Sequence, residues 1–130
     1  MRVKVIDDWE SVLADLGAEG KVKPKLFVAR GKEYTVYGLS LHRSSSVYRA
    51  GALICQLVDD YGNLIFAPIG VFDVIDGAIP DFWRIEVRDG DVLIWPDIFY
   101  KDFFFDDLSD GVPECVAAFR NLQSLMGNTD

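Results

Sequence analysis

Between Glu33 and Trp95 the chain is a series of short β-forming runs separated by turn sequences, with no alternation of strand and helix between them. A parallel sheet needs a crossover after each strand, usually a helix, so this pattern predicts antiparallel pairing of neighbours. Arg88-Asp89-Gly90-Asp91 turns Trp83–Val87 back onto Val92–Trp95 in the clearest hairpin. Asp59-Asp60-Tyr61-Gly62-Asn63 does the same for Ala52–Val58 and Leu64–Ala67. Lys25–Arg30 and Glu33–Leu41, joined through Arg30-Gly31-Lys32, read as a third hairpin, and Val71–Ile75 reads as a lone strand after the breaks at Pro68 and Gly70.

Helical spacing is confined to the two ends. Trp9, Val12, Leu13 and Leu16 recur on one helical face, with Asp7 or Asp8 as cap and Gly17 or Gly20 as stop. Pro113 suits the first turn of a second helix through Cys115, Val116, Phe119, Leu122 and Met126, with Asp110 or Gly111 before it as cap. The fold expected is α+β: one domain spanning residues 1–130, with a curved antiparallel sheet or small β-barrel of about seven short strands between an N-terminal and a C-terminal helix.

Seventeen aromatic residues supply a core large enough to fold despite a net charge of −8. No apolar run approaches the roughly 20 residues that span a bilayer, and Met1 to Asp8 lacks the apolar centre of a signal peptide, so no membrane association is expected and the location expected is cytoplasmic. Cys55 and Cys115, each with apolar neighbours, fit buried reduced thiols better than a disulfide framework.

Charge is distributed unevenly. Residues 1–50 carry a net +3 and residues 51–130 a net −11. The basic residues of the first half cluster from Lys21 to Arg49, where a local positive patch can survive on a negative protein. The acidic balance opposes a phosphate backbone, and no nucleic-acid-binding module is present, so nucleic acid is not an expected partner.

The densest feature is the segment from Asp97 to Asp110, where five carboxylates and five aromatic rings share fourteen residues. Two readings compete. In one, the run is an ordinary connector with rings inward and acids outward. In the other, Asp97, Phe99, Tyr100, Asp102, Phe103, Asp106, Asp107 and Asp110 form a patch whose rings anchor a basic partner protein and whose carboxylates steer it.

Catalytic and ligand templates fit poorly. A calcium loop starting at Asp106 would put Leu108 and Ala117 where oxygen ligands belong. Structural zinc wants about four sulfur or nitrogen ligands, and the chain has only His42, Cys55 and Cys115. Gly17-Ala18-Glu19-Gly20-Lys21 has neither the spacing nor the hydroxyl of a phosphate loop. His42 precedes Arg43-Ser44-Ser45-Ser46, yet no nucleophile elbow frames a serine there. No metal, cofactor or catalytic residue is therefore expected.

In size and charge the chain is similar to bacterial immunity proteins and antitoxins, and to acidic inhibitors that imitate DNA, although no motif is shared. That likeness implies a non-enzymatic inhibitor of a basic protein. The alternative is a small-molecule-binding or enzymatic barrel whose pocket is lined by Tyr34, Tyr37, Trp83 and Trp95 and approached by His42. A third arrangement is a homo-oligomer in which the basic segment of one copy meets the acidic run of another.

Overall fold

The computed structural model describes residues 1–17, 24–45 and 47–127. Its trunk is the nine-residue strand β2 (Glu33–Leu41), which touches three other strands. Along one edge lies β3 (Leu53–Val58). The other edge is shared: β1 (Arg2–Val5) takes the first half and β7 (Asp91–Trp95) the second. The remaining strands, β4 (Leu64–Pro68), β5 (Phe72–Asp76) and β6 (Arg84–Arg88), pair with β3, β1 and β7 respectively. Every pairing is antiparallel, and the seven strands form one sheet that divides into two branches beyond β2 and does not close. The barrel alternative is therefore replaced by an open sheet in which the outer edges of β4, β5 and β6 have no strand partner among the described residues.

Local chemistry explains the hairpins. Asp89 and Gly90 both adopt left-handed backbone, at φ 53° and 86°, as the two-residue turn favoured by strand twist requires. In the β3–β4 turn the Asp59 carboxylate accepts hydrogen bonds from the backbone N–H groups of Tyr61 (3.0 Å) and Asn63 (2.9 Å), and Gly62 supplies positive φ. Within β2 the register slips across Tyr37, because Val36 faces Leu57 while Gly38 faces the next residue, Gln56. Such a bulge increases local twist, which helps two strands share one edge of β2.

Two expectations are corrected. Lys25–Arg30 carries no ladder; Leu26 and Val28 are buried, but the segment bonds singly, with Phe27 O accepting from Asp60 N and the Tyr34 hydroxyl from Ala29 N. The place beside β2 belongs to β1, where Val3 and Val5 alternate with Arg2 and Lys4 and bury completely. The count of seven therefore stands with one member exchanged.

Strand alternation feeds two cores on opposite sheet faces. One gathers Val3, Val5, Val36, Leu39, Cys55, Leu57 and Trp83 with Leu13 of α1 (Trp9–Leu16). The other gathers Tyr37, Leu93 and Trp95 with Phe104 of α2 (Phe104–Ser109) and Cys115, Phe119 and Leu122 of α3 (Pro113–Leu125). Gly17 ends α1, and Gly20 lies outside the described residues. Pro113 does open α3, but the cap residue is Val112, because Asp110 and Gly111 are used to close α2. The two cysteines are free and buried, one in each core, and burial pushes the Cys55 thiol up to about 12.

Gly38 lies where the second core is tightest. A Cβ there would stand 2.7 Å from Trp95 Cδ1 and 2.9 Å from Gln56 Oε1. Gly38→Ala is expected to cost about 1–3 kcal/mol, the usual range for overpacking, read as a lower urea midpoint with unchanged slope. Neither thiol of the folded protein should react with an aromatic disulfide reagent until denaturant unfolds the sheet, since both are buried and burial also suppresses the thiolate of Cys55. Titration of one fast thiol in the native protein would contradict that packing.

Candidate functional site

The acidic-aromatic run begins where β7 ends. Pro96 turns the chain into a short helical turn, Asp97–Tyr100, that sends Phe99 and Tyr100 into the second core. Phe99 lies among the rings of Trp95 (6.0 Å between centroids), Phe104 (5.7 Å), Phe105 (5.0 Å) and Phe119 (6.4 Å). The Tyr100 hydroxyl sits between the carbonyls of Arg84 and Leu93, and its ring carries the Arg84 and Arg88 guanidinium groups at 4.7 and 5.1 Å. Burial raises its phenol above the ordinary value. These rings tie the run to the β6–β7 hairpin.

Phe103 behaves oppositely. It caps α2 in left-handed backbone (φ 62°, ψ 18°), and its side chain is 76% exposed. The chain needs a left-handed residue here to pass from one helical turn into the next while Phe104 points inward, yet Lys101-Asp102-Phe103-Phe104 offers no glycine. Left-handed backbone costs about 1–2 kcal/mol for an ordinary residue, and a bulky one is a true outlier. Asp102 and Asp106, which share a depression with it, are exposed, as is Asp110 further along the chain, and Asp107 is half-buried. A shallow depression of about 340 Å³ adjoins, lined by Arg88, Trp95, Tyr100, Lys101, Asp102 and Phe103 among others.

Of the eight residues read as a patch, then, Phe99 and Tyr100 are scaffold, and Asp97 lies 3.4 Å from Arg84 Nε. Asp102, Phe103, Asp106 and Asp110 face solvent together, with Asp107 partly sheltered beside them. The sequence shows the acids and rings but gives no sign of which ring turns outward, since nothing in it marks Phe103 as left-handed.

The rings of the alternative pocket are divided. Tyr34 and Trp83 belong to the first core, Tyr37 and Trp95 to the second, on the other face of the sheet. Among the described residues the Trp83 indole N–H is buried without an acceptor. Tyr34 and Tyr37 nonetheless both line a cleft of about 430 Å³ with Lys32, Glu33 and Asp59, whereas His42 lines a separate one of about 400 Å³ with Ser44, Ser45, Tyr48, Arg49 and Phe66.

His42 also ends a hydrogen-bonded line that the sequence did not reveal, because Asp91 lies far along the chain. Trp95 Nε1 donates to Gln56 Oε1 (3.0 Å), Gln56 Nε2 to Ser40 Oγ (2.9 Å), and Ser40 Oγ lies 2.8 Å from His42 Nε2; His42 Nδ1 is 3.4 Å from Asp91 Oδ2. With Gln56 donating to it, the Ser40 hydroxyl is free to give its proton to His42. The order serine, histidine, aspartate matches a hydrolase triad, but Ser40 is 1% exposed on an internal strand. The line fastens β2, β3 and β7 together.

Among the basic residues, Lys32 bonds Asp60 at 2.6 Å, and Asp60 also accepts from the Tyr34 hydroxyl at 2.7 Å. Lys21 and Lys23 lie outside the described residues. Those bonds to Lys32 and Tyr34 hold the Asp60 carboxyl below its ordinary range, while burial and the Asp60 bond push the Tyr34 phenol up to about 12. Burial pushes Tyr48 to about 12 as well. No helix among the described residues is long and apolar enough to cross a membrane, and no group of three or more metal-ligating side chains occurs among them. Comparison with protein-family models, curated proteins and solved structures finds no match to this chain.

The tyrosines give a stability profile with a definite sign. Their protons are held more tightly folded than unfolded, so the contribution is intact below about pH 10, the unfolded phenol value, and is lost as pH rises through about 12. Asp60 works in the other direction: its contribution is present above the unfolded carboxylate value of about 4 and is lost as pH falls below it. Urea midpoints across pH should drop at both ends, with phenolate absorbance appearing late in the alkaline limb. Tyr34→Phe should flatten part of that limb.

Proposed function

We propose that this chain is a non-enzymatic interaction domain that presents Phe103, with Asp102 and Asp106 beside it and Asp107 and Asp110 following in sequence, to a basic partner protein, in the manner of an inhibitor. The supporting observation is the exposed ring held in left-handed backbone. Neither the strain nor the exposure benefits the isolated fold, and strain of this kind concentrates at functional positions. An aromatic anchor supplies slow dissociation, and surrounding carboxylates accelerate encounter with a positive surface. Asp97, exposed at the start of the run, lies beside Arg84 and adds a partly screened carboxylate to this surface.

A stability–function trade-off tests this. Phe103→Gly relieves the left-handed strain and is expected to stabilise the fold by about 0.5–1 kcal/mol, while weakening partner binding by about tenfold or more. The binding arm titrates candidate basic proteins, the product of the neighbouring gene first, by calorimetry at low and high salt. Salt-weakened binding that Phe103→Gly reduces is the expected result. Absence of binding, salt-independent binding, or binding indifferent to Phe103→Gly would overturn the proposal.

A second reading places a small-molecule ligand in the cleft beside His42, where Arg49, Ser44 and Ser45 offer polar groups over Tyr48, Ile54 and Phe66. Thermal stabilisation by a metabolite panel, abolished in His42→Ala, would favour it over the acidic surface.

A further inference from the structure

We infer that β6 is a self-association edge, through which two copies of this chain join their sheets by antiparallel β6–β6 pairing about a two-fold axis. The inference is independent of Phe103 and begins from an inversion. A strand with one solvated face normally turns apolar residues inward and charges outward. On β6 the side chains of Ile85 and Val87 are 65% and 69% exposed, while Arg84, Glu86 and Arg88 occupy the other face, with the two arginines stacked on Tyr100. Six of the ten exposed large hydrophobic residues among those described fall between Val74 and Val87, so the apolar exposure is concentrated here.

Register shows where β6 can bond. Asp89-Gly90 is a two-residue turn, which makes Arg88 and Asp91 a mutually hydrogen-bonded pair, and the alternation then assigns Glu86 with Leu93 and Arg84 with Trp95. The backbone groups of Ile85 and Val87 consequently point away from β7, toward the free edge. Their side chains continue two cross-strand rows, Ile85–Ile94–Leu39 and Val87–Val92–Leu41, that run in from the trunk. An edge with unbonded backbone and adjoining aliphatic side chains is a template for another strand.

Charge selects the occupant. With Ile85 opposite Ile85 of a second copy, Arg84 of each copy faces Glu86 of the other; with Val87 on the axis, Glu86 faces Arg88 instead. Either register gives two cross-axis ion pairs on one face and an aliphatic cluster on the other. The other free edges lack this self-complementarity. β5 carries Asp73 and Asp76 without a cation, and β4 ends in Pro68, which has no N–H to give.

Sedimentation of the purified full chain across a concentration series tests the inference. A monomer–dimer equilibrium is expected, weakened by about tenfold or more in Ile85→Lys and in Val87→Lys, with circular dichroism unchanged because both side chains are exposed. Ile85→Cys and Val87→Cys, oxidised separately, identify the axis: the residue on it gives a disulfide-linked dimer, and the native thiols are buried and do not compete. A chain that stays monomeric at every concentration, or a dimer that survives both lysine variants, would overturn the assignment.

Discussion

Everything in this fold hangs on the polar line buried along β2. Gln56 has no solvent exposure, yet its carbonyl accepts from Trp95 and its amide donates to Ser40. An unsatisfied buried amide costs about 1–3 kcal/mol per orphaned group, so the three partners must be seated together. That requirement fixes β3 and β7 against opposite edges of β2 in one register. It also leaves Gly38 with no room for a side chain, because Trp95 and Gln56 occupy the space. With the indole held there, the rings of Phe99, Tyr100 and Phe105 assemble around it and bring the acidic run down onto the sheet.

The same line places a histidine, a serine and an aspartate in triad order. The Ser40 hydroxyl is committed on both sides, accepting from Gln56 and reaching His42, and it lies within the sheet. A nucleophile must meet a carbonyl carbon beside donors that receive the oxyanion, and Ser40, 1% exposed, is shut off from solvent. Distance alone would have misread these residues.

Much of the architecture was legible because antiparallel hairpins are local. Asp89-Gly90 and Asp59 to Asn63 specify their turns by backbone chemistry, so β3–β4 and β6–β7 could be read directly. Position beside β2 was harder to read. Lys25–Arg30 has the right alternation, but β1 wins the edge because Val3 and Val5 bury completely there and also pair with β5. The branching of the sheet depends on the bulge at Tyr37, which has no sequence signature. At the candidate site the composition of Asp97 to Asp110 was plain, whereas the sidedness was not: Phe99, Phe103 and Phe104 are chemically equivalent, and only the helical turns before and after decide that the middle one faces water.

The two outward-facing features share one cause. Arg84 reaches Asp97 and Glu86, and both guanidinium groups of β6 lie over Tyr100, so the charges of that strand are drawn onto the face that carries the acidic run. Strict alternation then leaves Ile85 and Val87 no choice but the opposite face, beyond the reach of the first core. The exposed Asp97 carboxylate stays beside one of these arginines, and the same arrangement bares an aliphatic edge. The fold could have solubilised β6 by exchanging the two faces, but the guanidinium groups would then have been lost from the ring of Tyr100, leaving its hydroxyl bonds to backbone carbonyls to hold Asp97–Tyr100. Packing the acidic run and exposing the β6 edge are therefore consequences of a single choice of strand register.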